Sequence, residues 1–314
     1  MVINALIKKL LQNVEKNSFK LNYSTGEVDL VIDGGAFNGS YVIGSLYYFK
    51  EMEKQKYLKI NRISGCSVGA LCGFLFFINK LDEGINYYKM LKNSFQVNND
   101  LRVLYEWFDN FKVEHLTTDM YKLVSNRLTL TYFDTNLMKT IIRDTYTSND
   151  DLIDCLIKTS FIPYIGNGDF SYNKCIDGGI PHLIKPFMKN QKLINNKIIY
   201  IHLTSVNRIL KCFVVKNEVN GYERIFDGIH LTHNFFFKKK DNDLITCVND
   251  WPYYNYGVYY LQQLCLLIIY YILIYTKKYI EYLPYDINSN EFISELSKIG
   301  RNLFYSYITK FCFN

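Results

Sequence analysis

Ile60-Asn61-Arg62-Ile63-Ser64 runs straight into Gly65-Cys66-Ser67-Val68-Gly69, and Ala70 to Ile78 follows as an almost wholly apolar stretch. The first segment reads as a short strand and the last as a helix, so the glycines bracket a sharp strand-to-helix turn. Glycines two residues either side of Ser67 keep Cβ atoms out of that turn and leave the serine hydroxyl exposed at the strand's carboxyl end. The helix begins at the serine, and its N-terminus favours the negative charge that develops there. A Gly-x-Ser-x-Gly match alone is weak; the strand before it and the helix after it give it weight.

Upstream, Val28 to Ile32 is a short apolar run, broken by Asp29, that reads as a strand. It enters Asp33-Gly34-Gly35-Ala36-Phe37-Asn38-Gly39. Gly39 to Glu53 then reads as a helix with Val42, Leu46, Phe49 and Met52 near one face. Strand, loop, helix, strand, turn, helix implies an α/β domain with a parallel sheet covered by helices. A glycine-rich backbone at a helix start presents several N–H groups that bind phosphate or an oxyanion. A nucleotide loop would continue Gly-Lys-Ser/Thr or carry an acidic residue for a ribose, and neither follows here. An oxyanion hole fits better, because the serine turn arrives in the next strand–helix unit.

Downstream, residues 80–148 read as helices between strands or as a cap over the site. Asp150 to Thr159 is predicted helical, and Ser171 to Ile176 is predicted as a strand that delivers Asp177-Gly178-Gly179. An isolated Asp-Gly is ordinarily just a turn. Lys197 to Thr204 reads as a buried strand, and residues 211–215 as an added edge strand. His233-Asn234-Phe235-Phe236-Phe237 before Lys238-Lys239-Lys240 reads as a buried strand and a solvated turn, or else as aromatics and cations anchoring at an anionic interface.

At the N-terminus, Ile3, Leu6, Ile7, Leu10, Leu11 and Val14 fall at helical spacing, so residues 1–20 are expected to hold an amphipathic helix packed on the main domain; a helix lying on a membrane is the alternative. No secretory signal is read there, since two lysines break the apolar run. Trp251 to Thr276 carries no charge. That stretch is expected as a buried core helix, with an interfacial helix or a membrane span at 257–276 as alternatives.

The 314 residues are 49% hydrophobic and 21% charged, which supports a globular fold with a sizeable core and argues against a disordered chain. A net charge of +6, without a basic stripe, gives no reason to expect nucleic acid. Eight scattered cysteines without a CxxC pair suggest a reduced, intracellular chain. No metal is expected: His230 and His233 lack a third ligand nearby, and no calcium-type acidic loop is evident.

Taken in order, the glycine loop, the Gly-x-Ser-x-Gly turn and the Asp-Gly-Gly triplet resemble the patatin-like phospholipase family. Thr159-Ser160-Phe161-Ile162-Pro163 resembles the Ala-Ser-x-x-x-Pro stretch that precedes that family's aspartate. The resemblance covers residues 28–205 and implies a three-layer α/β/α sandwich with a mainly parallel sheet, followed by a partly helical, apolar region over 206–314. It implies a lipid acyl hydrolase that needs no cofactor. Ser67 would be the nucleophile and Asp177 its direct proton acceptor, with Gly34, Gly35 and Ala36 as oxyanion donors and Gly39, Gly65, Gly69, Gly178 and Gly179 as supporting positions. The substrate would be a phospholipid or another acyl lipid, met at a membrane surface by a cytoplasmic, peripherally bound enzyme.

Three positions depart from the family pattern: Ala36 replaces a third glycine, Asn38 stands where Arg or Lys is usual, and Ile180-Pro181-His182-Leu183 replaces an Asn-x-Pro. Two rival readings follow. One is a catalytically weak or inactive lipid-surface protein with the same fold. The other is a Ser-Asp-His esterase in which His202, His230 or His233 completes a triad.

Overall fold

The computed structural model describes residues 2–14, 26–98, 100–115, 119–184, 196–205, 207–215, 218 and 220–281. The first helix, α1 (Val2–Leu11), turns Ile7 and Leu11 fully inward, so the amphipathic segment is packed on the body; what was expected of residues 15–20 lies outside the described residues. The core then begins as the sequence implies: β1 (Glu27–Ile32), α2 (Gly39–Lys54), β2 (Lys59–Gly65) and α3 (Ser67–Phe77). Three helices follow, α4 (Leu81–Asn98), α5 (Val103–His115) and the short α6 (Met120–Val124). Next come β3 (Leu128–Asp134), β4 (Lys139–Arg143), α7 (Asn149–Ser160), β5 (Cys175–Asp177) and β6 (Lys197–Ile201). The described chain ends with α8 (Tyr222–Lys238), β7 (Ile245–Cys247) and the 29-residue α9 (Tyr253–Glu281).

The sheet runs β4-β3-β2-β1-β6-β7, with β5 added against β3. Strands β1, β2, β3 and β6 are parallel, while β4, β5 and β7 join antiparallel. Alternation along the buried strands sends Leu30, Ile32, Ile199 and Ile201 into the large core under the helices, and Val31, Ile198 and Tyr200 to the other face. That other face is crossed by α9, which places Tyr259 against Tyr200 and Val31 at one end and Tyr270 and Ile274 against Phe133 and Ile176 at the other. Helices, sheet and α9 make the three-layer α/β/α sandwich, with a helical C-terminal region.

Beyond residue 205 the described chain packs against the same sheet and helices. Strand β7 extends the sheet from β6, and α8 packs on α2 so closely that their glycines are obligatory. A Cβ at Gly44 would stand 2.0 Å from the Ile225 carbonyl oxygen, and one at Gly228 would stand 2.1 Å from that of Tyr41.

Several expectations are corrected. Residues 211–215 are not a strand: Ile209–Cys212 is a 3-10 turn, and the carbonyls of Lys211 and Val214 are taken by Arg224 instead of a ladder. The strand before Asp177 shrinks from 171–176 to three residues. The 233–237 aromatic run lies in α8, where Ile225, Ile229, Thr232 and Phe236 recur at helical spacing on the buried side; Phe237 and Lys238 to Lys240 are exposed. Finally, α9 is not a buried core helix. Only 17% of its most apolar window is buried, and Leu261, Leu264, Ile268, Ile269 and Ile272 are about half exposed or more.

Candidate active site

Register explains why residues 67 and 177 meet. Strand β2 pairs with β3 as far as Gly65 opposite Leu130. The far edge of β3 is occupied by β4, so β5 must take the edge that β2 vacates, beginning with Asp177 opposite Tyr132. Two residues along a strand is about 7 Å, so Asp177 arrives where β2 turns into α3.

The turn itself is tight. A Cβ at Gly69 would lie 2.4 Å from the Asp33 carbonyl oxygen and 2.6 Å from that of Ile32; one at Gly65 would lie 2.7 Å from the Ala70 nitrogen. Ser67 adopts φ +50°, a left-handed conformation that costs an L-residue about 1–2 kcal/mol. Thr159 helps hold it there: the Ser67 N–H donates to Thr159 Oγ1 at 3.0 Å, and the Thr159 hydroxyl donates to the Thr131 carbonyl at 2.6 Å. The sequence marked Thr159 only by resemblance, without this task.

The Ser67 side chain faces the Asp177 carboxylate, which accepts the Gly179 N–H at 2.7 Å. Burial pushes the Asp177 carboxyl up from 3.8 to about 6, and the nearby Ser67 side chain and the Gly179 N–H restrain the rise. Such a group is ionised at neutral pH yet close enough to it to exchange a proton. The paired glycines have separate jobs. A Cβ at Gly178 would strike the Thr131 carbonyl oxygen at 2.1 Å, whereas Gly179 takes φ +66° and lies under Leu266 and Tyr270 of α9.

The loop at 33–39 is fixed from outside. Asp33 accepts the hydroxyls of Tyr200 and Thr204 and the Leu203 N–H, tying the end of β1 to the end of β6. Gly34 lies against Ser67, with a Cβ there placed 3.1 Å from Ser67 Cβ. Beside it, burial pushes the Cys66 thiol well above the ordinary thiol range. Gly35 backs onto Leu203, and Ala36 takes φ +43°, the costly conformation that its departure from glycine implies. Gly39 is required by Val68, whose Cγ2 would lie 2.2 Å from an added Cβ.

Asn38 is fully buried in place of the usual cation. Its Nδ2 donates to the Leu203 and Arg208 carbonyls, both at 2.9 Å, and its Oδ1 accepts Arg224 Nη1 at 2.8 Å. A guanidinium thus reaches the loop from α8, which no local pattern could announce.

The three histidines weighed for a triad are engaged elsewhere. His202 Nε2 meets Thr246 Oγ1 at 2.9 Å and its ring stacks on Tyr200; His233 Nδ1 meets the Tyr48 hydroxyl at 3.0 Å; His230 meets Asn234. Burial lowers the pKa of His202, so its imidazole stays neutral.

Helix α9 covers the site. The Tyr270 hydroxyl donates to the Asp177 carbonyl at 2.6 Å, and Ser67 is only 6% exposed. Among the described residues no cluster of three metal-ligating side chains occurs.

A family model described as patatin-like phospholipase matches residues 30–184, a span that holds the loop, the serine turn and Asp177. VipD from Legionella pneumophila, in its crystal structure, is similar at 12% identity over 56% of this chain and 50% of that one, with a TM-score of 0.31. The chain thus covers half the length of that relative. No curated protein matches it.

Proposed function

From a chain that carries a patatin-like phospholipase domain over residues 30–184, we propose a lipid acyl hydrolase that works through a Ser67–Asp177 dyad. The observation that carries this reading is the Ser67 side chain facing a buried carboxylate raised to about 6, at a strained strand-to-helix turn. Ser67 Oγ attacks the ester carbonyl while its proton passes to Asp177. The carbonyl electrons collect on an oxyanion that faces the loop at 34–36 and the N-terminus of α3. The leaving alcohol takes the proton from Asp177, and water then resolves the acyl-enzyme by the same proton path. The binding partners of His202, His230 and His233 argue against a triad.

The exposed side of α9 supports a membrane surface as the place of action. It offers Tyr253, Tyr254 and Tyr260 near one end, Tyr275 and Tyr279 near the other, and Leu261, Leu264, Ile268 and Ile272 between, with no charge from Trp251 to Thr276. Aromatic ends around an aliphatic middle suit a lipid interface. The inner side is tied down by the Tyr259 hydroxyl on the Pro181 carbonyl and by Tyr270 on Asp177, which favours lying on a bilayer over crossing it.

A second reading, a lipid-surface protein without turnover, is favoured by Ala36, which holds a left-handed φ of +43° where the family pattern has glycine. Hydrolysis of p-nitrophenyl butyrate and of phosphatidylcholine and lysophosphatidylcholine vesicles separates the two. Activity that disappears in Ser67→Ala supports the hydrolase. A folded wild type that hydrolyses none of them, or an active Ser67→Ala, removes it.

A further inference from the structure

A half-enclosed cavity of about 330 Å³ lies between the β3–β4 edge, the segment after Asp177 and the inner side of α9. Its volume is at the lower end of the roughly 300–1,000 Å³ typical of small-molecule sites. Ile142, Ile180, Leu264 and Leu267 give it apolar walls, and none of its lining residues is Asp, Glu, Lys or Arg. It is built from the same residues that position the dyad. Gly178 follows the proton acceptor. Thr131 presents the carbonyl that holds Thr159, and through it the Ser67 amide. Tyr270 lines the cavity and bonds the Asp177 backbone. The other walls include Leu264, 53% exposed, and Ile142, 47% exposed, so the mouth opens beside the uncharged outer side of α9.

We propose that this cavity is the acyl-chain site of the hydrolase, a reading that rests on the function proposed above. A largely apolar recess that reaches Gly178, the residue after Asp177, and opens along the exposed side of α9 suits a single hydrocarbon chain entering from a bilayer. A phosphate headgroup finds no Lys or Arg in its walls, whose polar side chains are Thr131, Thr140, His182, Gln263 and the Tyr270 hydroxyl. The chain lies along α9 between Leu264 and Ile142, and Tyr270 marks its inner end, where the ester must turn toward Ser67. The limited volume sets a chain-length optimum: each methylene that enters contributes about fourfold to binding, and methylenes beyond the cavity contribute little.

The test has two arms on the full chain. The first uses Ser67→Ala, which needs no turnover, and titrates it with the fluorescent fatty acid cis-parinaric acid. Saturable binding is expected, weakened at least tenfold when Ile142→Trp or Thr140→Trp is added to fill the cavity; both positions lie on the edge strand, and melting curves confirm folding. The second arm compares kcat/KM for p-nitrophenyl esters of two to twelve carbons. Wild type is expected to rise steeply with chain length and then level off. The Trp variants are expected to lose the rise. Binding unchanged in both folded Trp variants, or an unchanged chain-length profile, overturns the acyl-site assignment. A wild type that hydrolyses no ester but binds the fatty acid at this cavity overturns the hydrolase reading and leaves the site standing.

Discussion

Replacing Asp177 by Asn is expected to abolish turnover while making the protein more stable at neutral and alkaline pH. The carboxyl sits at about 6 instead of 3.8, a rise of roughly two units caused first by burial. A carboxyl whose folded pKa is raised adds stability that is complete below its unfolded value and is lost as pH climbs through the folded value. At about 1.4 kcal/mol per unit, wild type gives up about 3 kcal/mol between pH 3.8 and pH 6. Asn keeps the shape and cannot ionise. Its Oδ1 still accepts the Gly179 N–H, and its Nδ2 donates to a Ser67 hydroxyl free to rotate. Urea unfolding should therefore place Asp177→Asn about 3 kcal/mol above wild type at pH 8 and close to it near pH 3.5. A stability difference that does not change with pH, or a variant less stable at pH 8, would refute the argument that the fold pays for an ionised base in an enclosed site.

Three further outcomes follow from the same geometry. Ser67→Gly should be about 1 kcal/mol more stable than Ser67→Ala, although both are inactive, because only Gly relieves the left-handed backbone at φ +50°; equal melting temperatures would contradict the strain. Asn38→Leu should cost about 3 kcal/mol or more in denaturant, since it strips a partner from the buried Arg224 guanidinium and frees the Leu203 and Arg208 carbonyls. In flotation assays, Leu261→Glu combined with Ile268→Glu should reduce binding to phosphatidylcholine vesicles at least tenfold without changing stability, since both side chains are half exposed.

The centre of the fold is legible because its information is local. Strand, glycine turn and helix from Ile60 to Ile78 declare themselves within nineteen residues, and the apolar runs of β1 and β6 carry only a buried-strand reading. Legibility fails where tertiary partners decide. Strand β7, three residues long, is too short to show a period of two, and for the same reason β5 is legible only as a longer run over 171–176. Aromatics at 235–237 favour a strand by propensity, yet α8 wins because its inner face must meet α2 at Gly44 and Gly228. Residues 211–215 looked extended, but Arg224 claims the carbonyls that a ladder would need. The uncharged C-terminal stretch announced a helix and left open which side of it would be covered. In the site, Ser67, Asp177 and the glycines were visible as motifs. The supports from Thr159, Asp33, Tyr200 and Arg224 were not, because each meets its partner across tens of residues or more of sequence.

The pairing of position 67 with position 177 is tested most directly by labelling the intact protein with a fluorophosphonate across a pH series and mapping the adduct by mass spectrometry. A single adduct on Ser67 is expected, its rate rising with pH through an inflection near 6 and falling by orders of magnitude in Asp177→Asn. An adduct elsewhere, a rate indifferent to pH between 5 and 7, or undiminished labelling of Asp177→Asn would contradict the account.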